Sequence, residues 1–249
     1  MKPNYTILPE YAPLYPSLPY VYKDYEKISI YAKGNPDIMK TFLPAEFELA
    51  GDIFEVFVLQ NHHIEGLDNY SEGGLIIPCR YKGKKGAVMA FEYVNSDDAL
   101  CAGREIWGYP KKLGEITFVK EGTKIIGEVK RKGKKVINVS LEKKEKEIEI
   151  PNLFPRLQVK RMPGVETEAA DLNLIIQNEF YEVTTKEEWL GKATLEWEES
   201  DQDPLSLLEP IEVLGGKYVR GGFTLDHGKV IDRLPLTETS LRGACKDEK

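Results

Sequence analysis

The sequence predicts a mainly β fold, and three observations lead to that prediction. Short runs rich in β-branched and aromatic residues recur at intervals of about ten residues. Lysine-glycine and glutamate-glycine pairs separate several of these runs, as expected for tight turns. Segments with a helical pattern are short and few. A single antiparallel domain of the barrel or sandwich type is the simplest fold with these properties.

The first predicted strands lie between residues 26 and 133. They are EKISIYA (26–32), DIFEVFVL (52–59), GLIIPCRY (74–81), GAVMAFEYV (86–94), EITFVK (115–120) and KIIGEVKRKG (124–133). The next segment, KKVINVSLEKKEKEIEI (134–150), alternates apolar and charged residues over much of its length, which is typical of strands with one face in water. The last third adds the strand-like runs EFYEVTT (179–185), KATLEWEE (192–199) and KYVRGGFTLD (217–226).

Two short helices are predicted to interrupt these strands. Asn35, Pro36 and Asp37 have the chemistry of a helix start, because they supply a capping side chain, a proline in the first turn and an acidic residue at the positive end of the dipole. The second segment, NSDDALCAGREIWG (95–108), opens with polar and acidic residues and then becomes more apolar. It leads the chain directly to GYPKKL (108–113).

The two ends of the chain differ from its middle. The first twenty residues contain five prolines and four tyrosines, which predicts an extended arm (1–20) that packs over the body or against a neighbouring subunit. The segment 236–249 is polar and has no periodic apolar face, which predicts a mobile tail. We therefore expect one domain over residues 1–235, with the arm at its start.

Composition excludes several classes of partner. A formal net charge of -7 argues against general binding to nucleic acid or to an anionic membrane surface, since both require surplus positive charge. No apolar run approaches the roughly 20 residues that span a bilayer, and the first residues lack a signal-peptide pattern. The three cysteines lack the spacing of a zinc or redox motif. These features predict a cytoplasmic protein with free thiols.

Metal binding is also not expected from the sequence. His62 and His63 are followed by Glu65, but the chain has three histidines in all and no third ligand at a sensible spacing. We therefore predict no metal ion and no organic cofactor.

The adjacent lysines of GYPKKL are the strongest candidates for chemistry. An ordinary lysine has a pKa of about 10.4 and is almost fully protonated at neutral pH. Removal of water and a second cation nearby both lower that pKa. A free amine can attack a ketone, and the protonated imine then stabilises the carbanion left when carbon dioxide departs. On residue chemistry alone, a solvated turn at Lys111 and Lys112 remains the alternative.

The surroundings of this pair resemble the acetoacetate decarboxylase family. GREIWGYPKKLGEI (103–116) resembles the active-site segment of that family, and NYSEGGLIIP (69–78) is similar to a second block that contains a pocket glutamate. GAVMAFEYVNSDDALCAGRE (86–105) keeps the family's order of strand, acidic turn and short helix, and KEEWLGKATLEW (186–197) is similar to a tryptophan-containing strand. The resemblance covers roughly residues 18 to 233.

The resemblance implies a role for several residues. Lys111 is implied as the nucleophile that forms a Schiff base, Lys112 as the neighbour that lowers its pKa, and Glu72 as an acid-base or orienting group. Tyr109 is implied to line the pocket. The fold implied is a cone-like antiparallel β-barrel within a larger sheet, assembled into homo-oligomers, with a small keto acid as substrate and no cofactor. Without the lysine motif, Glu72 would be read as a turn carboxylate.

Three further positions depart from the family pattern or match it only in part. The family places an arginine in the segment corresponding to 20–31, but this chain has none before Arg80, and a lysine there replaces its fork geometry only in part. Glu55 is a candidate for a second pocket glutamate. Arg104 either attracts the anionic substrate or forms a structural ion pair with Glu105.

The lysine motif and the family resemblance are compatible with three functions. The first is decarboxylation of acetoacetate or a related β-keto acid to a ketone and carbon dioxide. The second is an aldol-type condensation or dehydration of pyruvate-like keto acids by the same lysine. The third is a non-catalytic homologue that binds a small ligand.

Overall fold

The structure, a computed structural model, describes residues 6–145 and 147–236. The strands of this part are β1 (Tyr20–Lys33), β2 (Glu48–Leu49), β3 (Ile53–Glu65), β4 (Ser71–Tyr81), β5 (Lys84–Val94), β6 (Lys111–Leu113), β7 (Glu115–Glu121), β8 (Lys124–Arg131), β9 (Lys134–Lys143), β10 (Arg156–Pro163), β11 (Ala170–Asn178), β12 (Phe180–Glu196), β13 (Glu212–Leu225) and β14 (Lys229–Arg233). The helices are α1 (Pro36–Thr41) and α2 (Asp97–Ala102), with a π-helical turn at Gly103–Trp107 and a 3-10 turn at Leu205–Leu207.

All of these strands belong to one sheet. Twelve of them follow the order β14-β11-β10-β5-β4-β3-β1-β13-β12-β9-β8-β7, while β2 pairs with β4 and β6 pairs with β5. The pairings are antiparallel except those that β5 makes with β6 and β10. Within the described residues the hydrogen-bonded path is open, with β14 and β7 at its ends. The mainly β fold predicted from the sequence is confirmed.

The predicted strands match the observed ones with informative differences. EFYEVTT and KATLEWEE are parts of one long strand, β12. The alternating segment 134–150 is a strand only to Lys143. Five observed strands were not predicted from the sequence: β2, β6, β10, β11 and β14. β10 was missed because its buried first half is followed by an exposed half that contains basic residues, so it shows no regular alternation.

Both predicted helices are present and begin as expected. The Asn35 side chain accepts a hydrogen bond from the backbone N–H of Asp37 at 2.9 Å, which caps α1. Ser96 caps α2 in the same way, through the backbone N–H of Ala99. After α2 the chain continues into the π-helical turn and leaves it at Gly108, whose φ of 78° is in the left-handed region that favours glycine.

The N-terminal arm contacts the body of the protein in its described part. In the arm, Tyr15 is buried and its hydroxyl donates a hydrogen bond to Glu105 in the π-helical turn. The arm therefore packs against the segment that leads to Lys111. The predicted mobile tail lies outside the described residues, apart from Leu236. Among the described helices, none has the length and apolar character needed to cross a lipid bilayer.

Candidate active site

A cavity of about 660 Å3 opens between the sheet and the segment 150–155. Side chains from β1, β3, β4, β5 and β6 line it, together with that of Trp107 in the π-helical turn. Lys111, the first residue of β6, is among them, and it is 7% exposed. A cavity of this size is typical of small-molecule binding sites.

The pairing of β6 with β5 directs Lys111 into the cavity. Lys111 lies opposite Glu92 and Lys112 lies opposite Tyr93 in this short parallel pair. Successive side chains of a strand point to opposite faces, so the two lysines leave the backbone in opposite directions. Lys111 faces the cavity, whereas Lys112 is not among the residues that line it.

Gly103 and Arg104 hold the Lys111 residue from the side of the π-helical turn. A Cβ atom at position 103 would lie 2.6 Å from Lys111 Cδ and 2.7 Å from its Cε, so glycine leaves the space that this side chain occupies. Arg104 donates a hydrogen bond from its guanidinium to the Lys111 carbonyl oxygen at 3.1 Å. Arg104 itself is exposed, so it acts on the backbone rather than in the cavity. π-helical turns are frequent at functional sites.

Two carboxylates flank the Lys111 ammonium group. Lys111 Nζ donates a hydrogen bond to Glu72 Oε2 at 3.1 Å and lies 3.9 Å from Glu92 Oε1. It also lies 5.2 Å from the centroid of the Tyr70 ring. Glu72 reaches this point because β4 pairs with β5, which places it opposite Val94. The structure thus brings together Lys111 and Glu72, which the sequence predicts to be functional, with Glu92, which was not predicted.

The carboxylates change the titration expected for Lys111. Burial acts to lower the pKa of Lys111, but Glu72 and Glu92 favour its charged form and raise that pKa above the ordinary lysine value. Burial raises the pKa of Glu92 to about 8, against the opposing effect of Lys111, so Glu92 is largely protonated at neutral pH. The site therefore holds a protonated Lys111 amine beside a Glu92 carboxyl group that is largely neutral at neutral pH.

Lys112 has a separate environment on the other side of the strand. Its Nζ donates to Asp203 Oδ1 at 2.6 Å and to the Gln202 carbonyl oxygen at 3.3 Å. Asp203 is 1% exposed and also accepts a hydrogen bond from the Tyr93 hydroxyl at 3.0 Å. The hypothesis that both ammonium groups share one dry pocket does not match this geometry, because strand alternation separates them.

A second charged cluster faces the cavity around Glu55. Lys27 Nζ lies 2.6 Å from Glu55 Oε1, the Ser29 hydroxyl donates to the same oxygen at 2.6 Å, and Arg156 lies 3.9 Å from Oε2. Burial acts to raise the pKa of Glu55. The nearby charges of Lys27 and Arg156 outweigh this effect and hold the pKa of Glu55 below its usual value. The structure therefore places Glu55 in the cavity with two cations, one of them from the N-terminal segment in which the family arginine was expected.

Arg156 and Glu92 were not anticipated, for different reasons. Arg156 begins β10 and reaches the cavity through one long-range parallel pairing with Ala87 of β5, which no local pattern encodes. Glu92 did leave a signal, since it is the only charged residue in the apolar run GAVMAFEYV. A buried charge in such a run is uncommon unless it has a partner.

Tyr109, which the family resemblance implied as a pocket residue, is buried and lines the cavity.

The described residues contain no group of three histidine, cysteine, aspartate or glutamate side chains placed to hold a metal ion. His62 Nε2 instead lies 2.9 Å from Glu26 Oε2, in a cluster outside the cavity.

Comparison with known proteins gives a consistent result. The family model for acetoacetate decarboxylase matches residues 8–234. Acetoacetate decarboxylase 2 of Mesorhizobium japonicum is 25% identical over 93% of this chain and 90% of its own length. Acetoacetate decarboxylase of Burkholderia vietnamiensis is 25% identical over 90% of this chain and 93% of its own.

Solved structures show the same fold. Acetoacetate decarboxylase from Legionella pneumophila superimposes with a TM-score of 0.82 at 24% identity, over 89% of this chain and 90% of its own. The enduracididine biosynthesis enzyme MppR, solved in complex with pyruvate, gives a TM-score of 0.79 at 18% identity, over 94% of this chain and 99% of its own.

Proposed function

The chain belongs to the acetoacetate decarboxylase family, and from this premise we propose that Lys111 forms a Schiff base with a β-keto acid and decarboxylates it to a ketone and carbon dioxide. The observation that carries the proposal is a buried lysine amine in a cavity, 3.1 Å from one carboxylate and 3.9 Å from another. The relatives named above support the reaction class.

The amine becomes a nucleophile by giving its proton to Glu72. The hydrogen bond of 3.1 Å between Lys111 Nζ and Glu72 Oε2 is the path for that transfer. The transfer turns an ion pair into a neutral amine and a neutral acid, so the net charge of the pocket does not change. Burial acts in favour of the neutral pair, because a low dielectric penalises charged groups, but Glu72 and Glu92 outweigh it and keep Lys111 protonated until the transfer, so the neutral amine is the minor form that attacks. This route needs no second cation beside Lys111.

The reaction then follows from the imine. Lys111 Nζ attacks the ketone carbon, the oxygen leaves as water after protonation, and an iminium ion remains. The bond between the substrate's α-carbon and its carboxyl carbon breaks, its electron pair moves toward the iminium nitrogen, and carbon dioxide leaves. A proton adds to the enamine carbon, and water hydrolyses the imine to the ketone and the free amine.

Glu92 is placed to supply protons during these steps. It is protonated at neutral pH because burial raises its pKa to about 8. Its Oε1 lies 3.9 Å from Lys111 Nζ, next to the atoms that react. Glu72 and Glu92 thus form a pair in which one carboxyl group accepts a proton and the other donates one.

The cluster at Glu55 is suited to an anionic substrate. Lys27 and Arg156 carry two positive charges against the single negative charge of Glu55. A surplus cation facing a partly desolvated cavity attracts a carboxylate. We assign Lys27, Arg156 and Glu55 to the binding of the keto acid, with Tyr109 as part of the pocket lining and Arg104 as a residue that positions Lys111.

Reductive trapping tests the proposal. The protein is incubated with acetoacetate, treated with borohydride and analysed by mass spectrometry, while released carbon dioxide is measured in parallel. We expect one reduced adduct on Lys111 together with gas release. Lys111→Gln should abolish both signals, and Lys85→Gln, a matched change of an exposed lysine on β5, should retain both. Gas release without any adduct on Lys111 would refute the Schiff-base route.

The aldol-type reaction is the second candidate. The structural neighbour MppR, which has the same fold, has been solved with pyruvate bound. Lys111 with Glu72 and Glu92 is also a suitable set for condensation or dehydration through an imine. An adduct of pyruvate on Lys111 without carbon dioxide release from any β-keto acid would favour this reaction, and the absence of any adduct would favour a ligand-binding protein.

We also propose that the protein acts as a homo-oligomer in the cytoplasm. Two of the residues that line the cavity, Phe154 at 40% and Val183 at 60% exposure, are apolar and exposed, and such residues suit a subunit contact. Cys79 and Cys101 are free thiols, as expected in a reducing compartment. Light scattering coupled to size exclusion tests the oligomer, and a monomer at micromolar concentration would contradict it.

A further inference from the structure

We propose that the cavity selects β-keto acids that carry an aromatic or similarly large apolar group, bound against a row of stacked rings. We name this row the aromatic wall, and it consists of Tyr22, Phe223, Phe180 and Phe154. The proposal rests on the proposed Schiff-base chemistry at Lys111, because that chemistry fixes the reacting end of the substrate.

The size of the cavity is the first argument. At about 660 Å3 it falls in the range of roughly 300–1,000 Å3 that holds drug-sized ligands. A four-carbon keto acid attached to Lys111 would leave most of this space to water. Several of the lining side chains are aliphatic or thioether, among them Leu59, Leu67, Ile76, Met89 and Leu225. Water against such surfaces is readily displaced by an apolar group.

The geometry of the aromatic wall is the second argument. Tyr22 of β1, Phe223 of β13 and Phe180 of β12 lie on three adjacent strands. The Tyr22 and Phe223 ring centroids are 4.2 Å apart, those of Phe223 and Phe180 are 4.3 Å apart, and both pairs have an interplanar angle of 15°. Phe154 adds an edge contact with Phe180 at 5.1 Å. All four rings line the cavity.

The aromatic wall begins beside the nucleophile and ends at the surface. The Tyr22 hydroxyl lies 2.9 Å from that of Tyr70, whose ring is 5.2 Å from Lys111 Nζ. At the other end, Phe154 is 40% exposed. A group extending from the ketone carbon of a substrate bound to Lys111 therefore has a continuous aromatic surface beside it, from the reacting atoms to the mouth of the cavity.

A purely structural role does not account for these rings. Phe54, a ring of the interior outside the cavity, is fully buried, and Tyr22 at the inner end of the aromatic wall is 4% exposed. Phe223 and Phe180 are only half-buried although they are stacked, and both line the cavity. Stacked rings with accessible area in a cavity provide a binding surface for another ring.

Steady-state kinetics on two substrates test the inference. Acetoacetate is compared with 3-oxo-5-phenylpentanoate, in which two methylene groups separate the phenyl ring from the ketone so that the intrinsic reactivities are similar. Spontaneous decarboxylation of each acid is subtracted. We expect kcat/KM to be at least about tenfold higher for the phenyl acid, since single methylene groups in apolar pockets already give roughly 10- to 200-fold discrimination.

Substitution in the aromatic wall localises the effect. Phe223→Leu keeps an apolar side chain but removes the stacking face, so the ratio of the two kcat/KM values should fall about three- to tenfold. Phe180→Leu, nearer the mouth, is a second variant in case the first does not fold. Trp189→Leu is the matched control, because Trp189 stacks on Tyr218 outside the cavity, and it should leave the ratio unchanged.

The outcomes separate this inference from the proposed function. If borohydride traps both acids on Lys111 but kcat/KM is equal or favours acetoacetate, the aromatic preference is refuted and the Schiff-base chemistry stands. If neither acid is trapped and neither releases carbon dioxide, the Schiff-base proposal itself fails, and the substrate assignment fails with it. The protein could also prefer the phenyl acid for another reason. If Trp189→Leu lowers the ratio of the two kcat/KM values as much as Phe223→Leu does, the role of the aromatic wall is refuted.

Discussion

Lys111 and Lys112 are neighbours in the chain but occupy two different kinds of site. Lys112 lies with Asp203, Tyr93 and Arg131, where the buried carboxylate accepts hydrogen bonds from a lysine and a tyrosine and pairs with the arginine. On the Lys111 side, Glu92 Oε2 is buried and has no hydrogen-bond partner among the described residues. Arg131 Nε, on the Lys112 side, also lacks a hydrogen-bond partner within the described part of the chain, but it lies 3.1 Å from Asp203 Oδ2 and is paired with that carboxylate. A buried carboxyl oxygen without a hydrogen bond calls for another explanation, such as a catalytic role, and Glu92 lines the cavity together with Lys111. The comparison identifies the Lys111 side as the reactive one.

The largest expected effect comes from removing the amine on the reactive side. Lys111→Gln should lower kcat at least about a thousandfold, because the covalent step no longer has a nucleophile. The loss is measured as the rate of carbon dioxide release from the proposed substrate. Activity within tenfold of the unsubstituted protein would show that the two lysines do not differ in the proposed way.

The next effect is on stability and belongs to the Lys112 side. Asp203→Ala removes the carboxylate that accepts hydrogen bonds from Lys112 and Tyr93 and pairs with Arg131, and breaking a buried pair in this way costs about 3–5 kcal/mol. Denaturant unfolding measures the loss. The matched comparison is Asp201→Ala, an exposed aspartate nearby, which should change the free energy of unfolding by less than about 0.5 kcal/mol. Equal effects of the two substitutions would contradict the structural role of Asp203.

Glu92→Gln tests the reactive role of the Lys111 side through the pH dependence of activity. Because burial raises the pKa of Glu92 to about 8 and the protonated form is the proposed donor, activity should fall as pH rises through about 8. The variant should lose roughly a hundredfold in kcat and should lack this alkaline fall.

Stability provides an independent readout of the same proton. A carboxyl group whose folded-state pKa is raised contributes stability that is present below its unfolded value of about 4.3 and is lost as pH rises through about 8. The Glu92→Gln variant should lack that pH-dependent loss. An identical dependence of unfolding free energy on pH in both proteins would argue against a protonated Glu92.

The smallest effect is expected for Lys112→Met. This change leaves Asp203 with Tyr93 and Arg131, and we expect a loss of about 1–3 kcal/mol in unfolding free energy with no displacement of the pH profile of kcat. The hypothesis that Lys112 lowers the pKa of Lys111 instead requires the profile to move to alkaline pH. A shift of one unit or more would restore that hypothesis despite the separation of the two side chains.

The sequence predicted those features of the fold and of the site that depend on local pattern. For the fold, these are the runs of β-branched residues and the Asn35 cap. For the site, they are the motif around Lys111 and the segment NYSEGG, whose resemblance to the family identified Glu72. Long-range register could not be predicted in this way. The pairing of β10 with β5 brings Arg156 to the cavity, and neither segment alone indicates it.

The direction of Lys112 illustrates the same limit at short range. The sequence places two lysines together, and their side chains would share a pocket in a turn but separate in a strand. β6 is three residues long, too short for a periodic pattern, and it is a strand only because Val94 and its neighbours on β5 pair with it. Tertiary pairing therefore decided which lysine faces the cavity.

The close fit of Gly103 against the Lys111 stem has a consequence for each catalytic cycle. A free lysine side chain explores many rotamers, and restricting it costs up to about 2 kcal/mol of conformational entropy. Here most of that restriction occurs when the chain folds, since the glycine surface leaves the stem little room to rotate. Every incoming ketone therefore meets an amine that is already immobilised, and imine formation proceeds without a renewed search by the nucleophile.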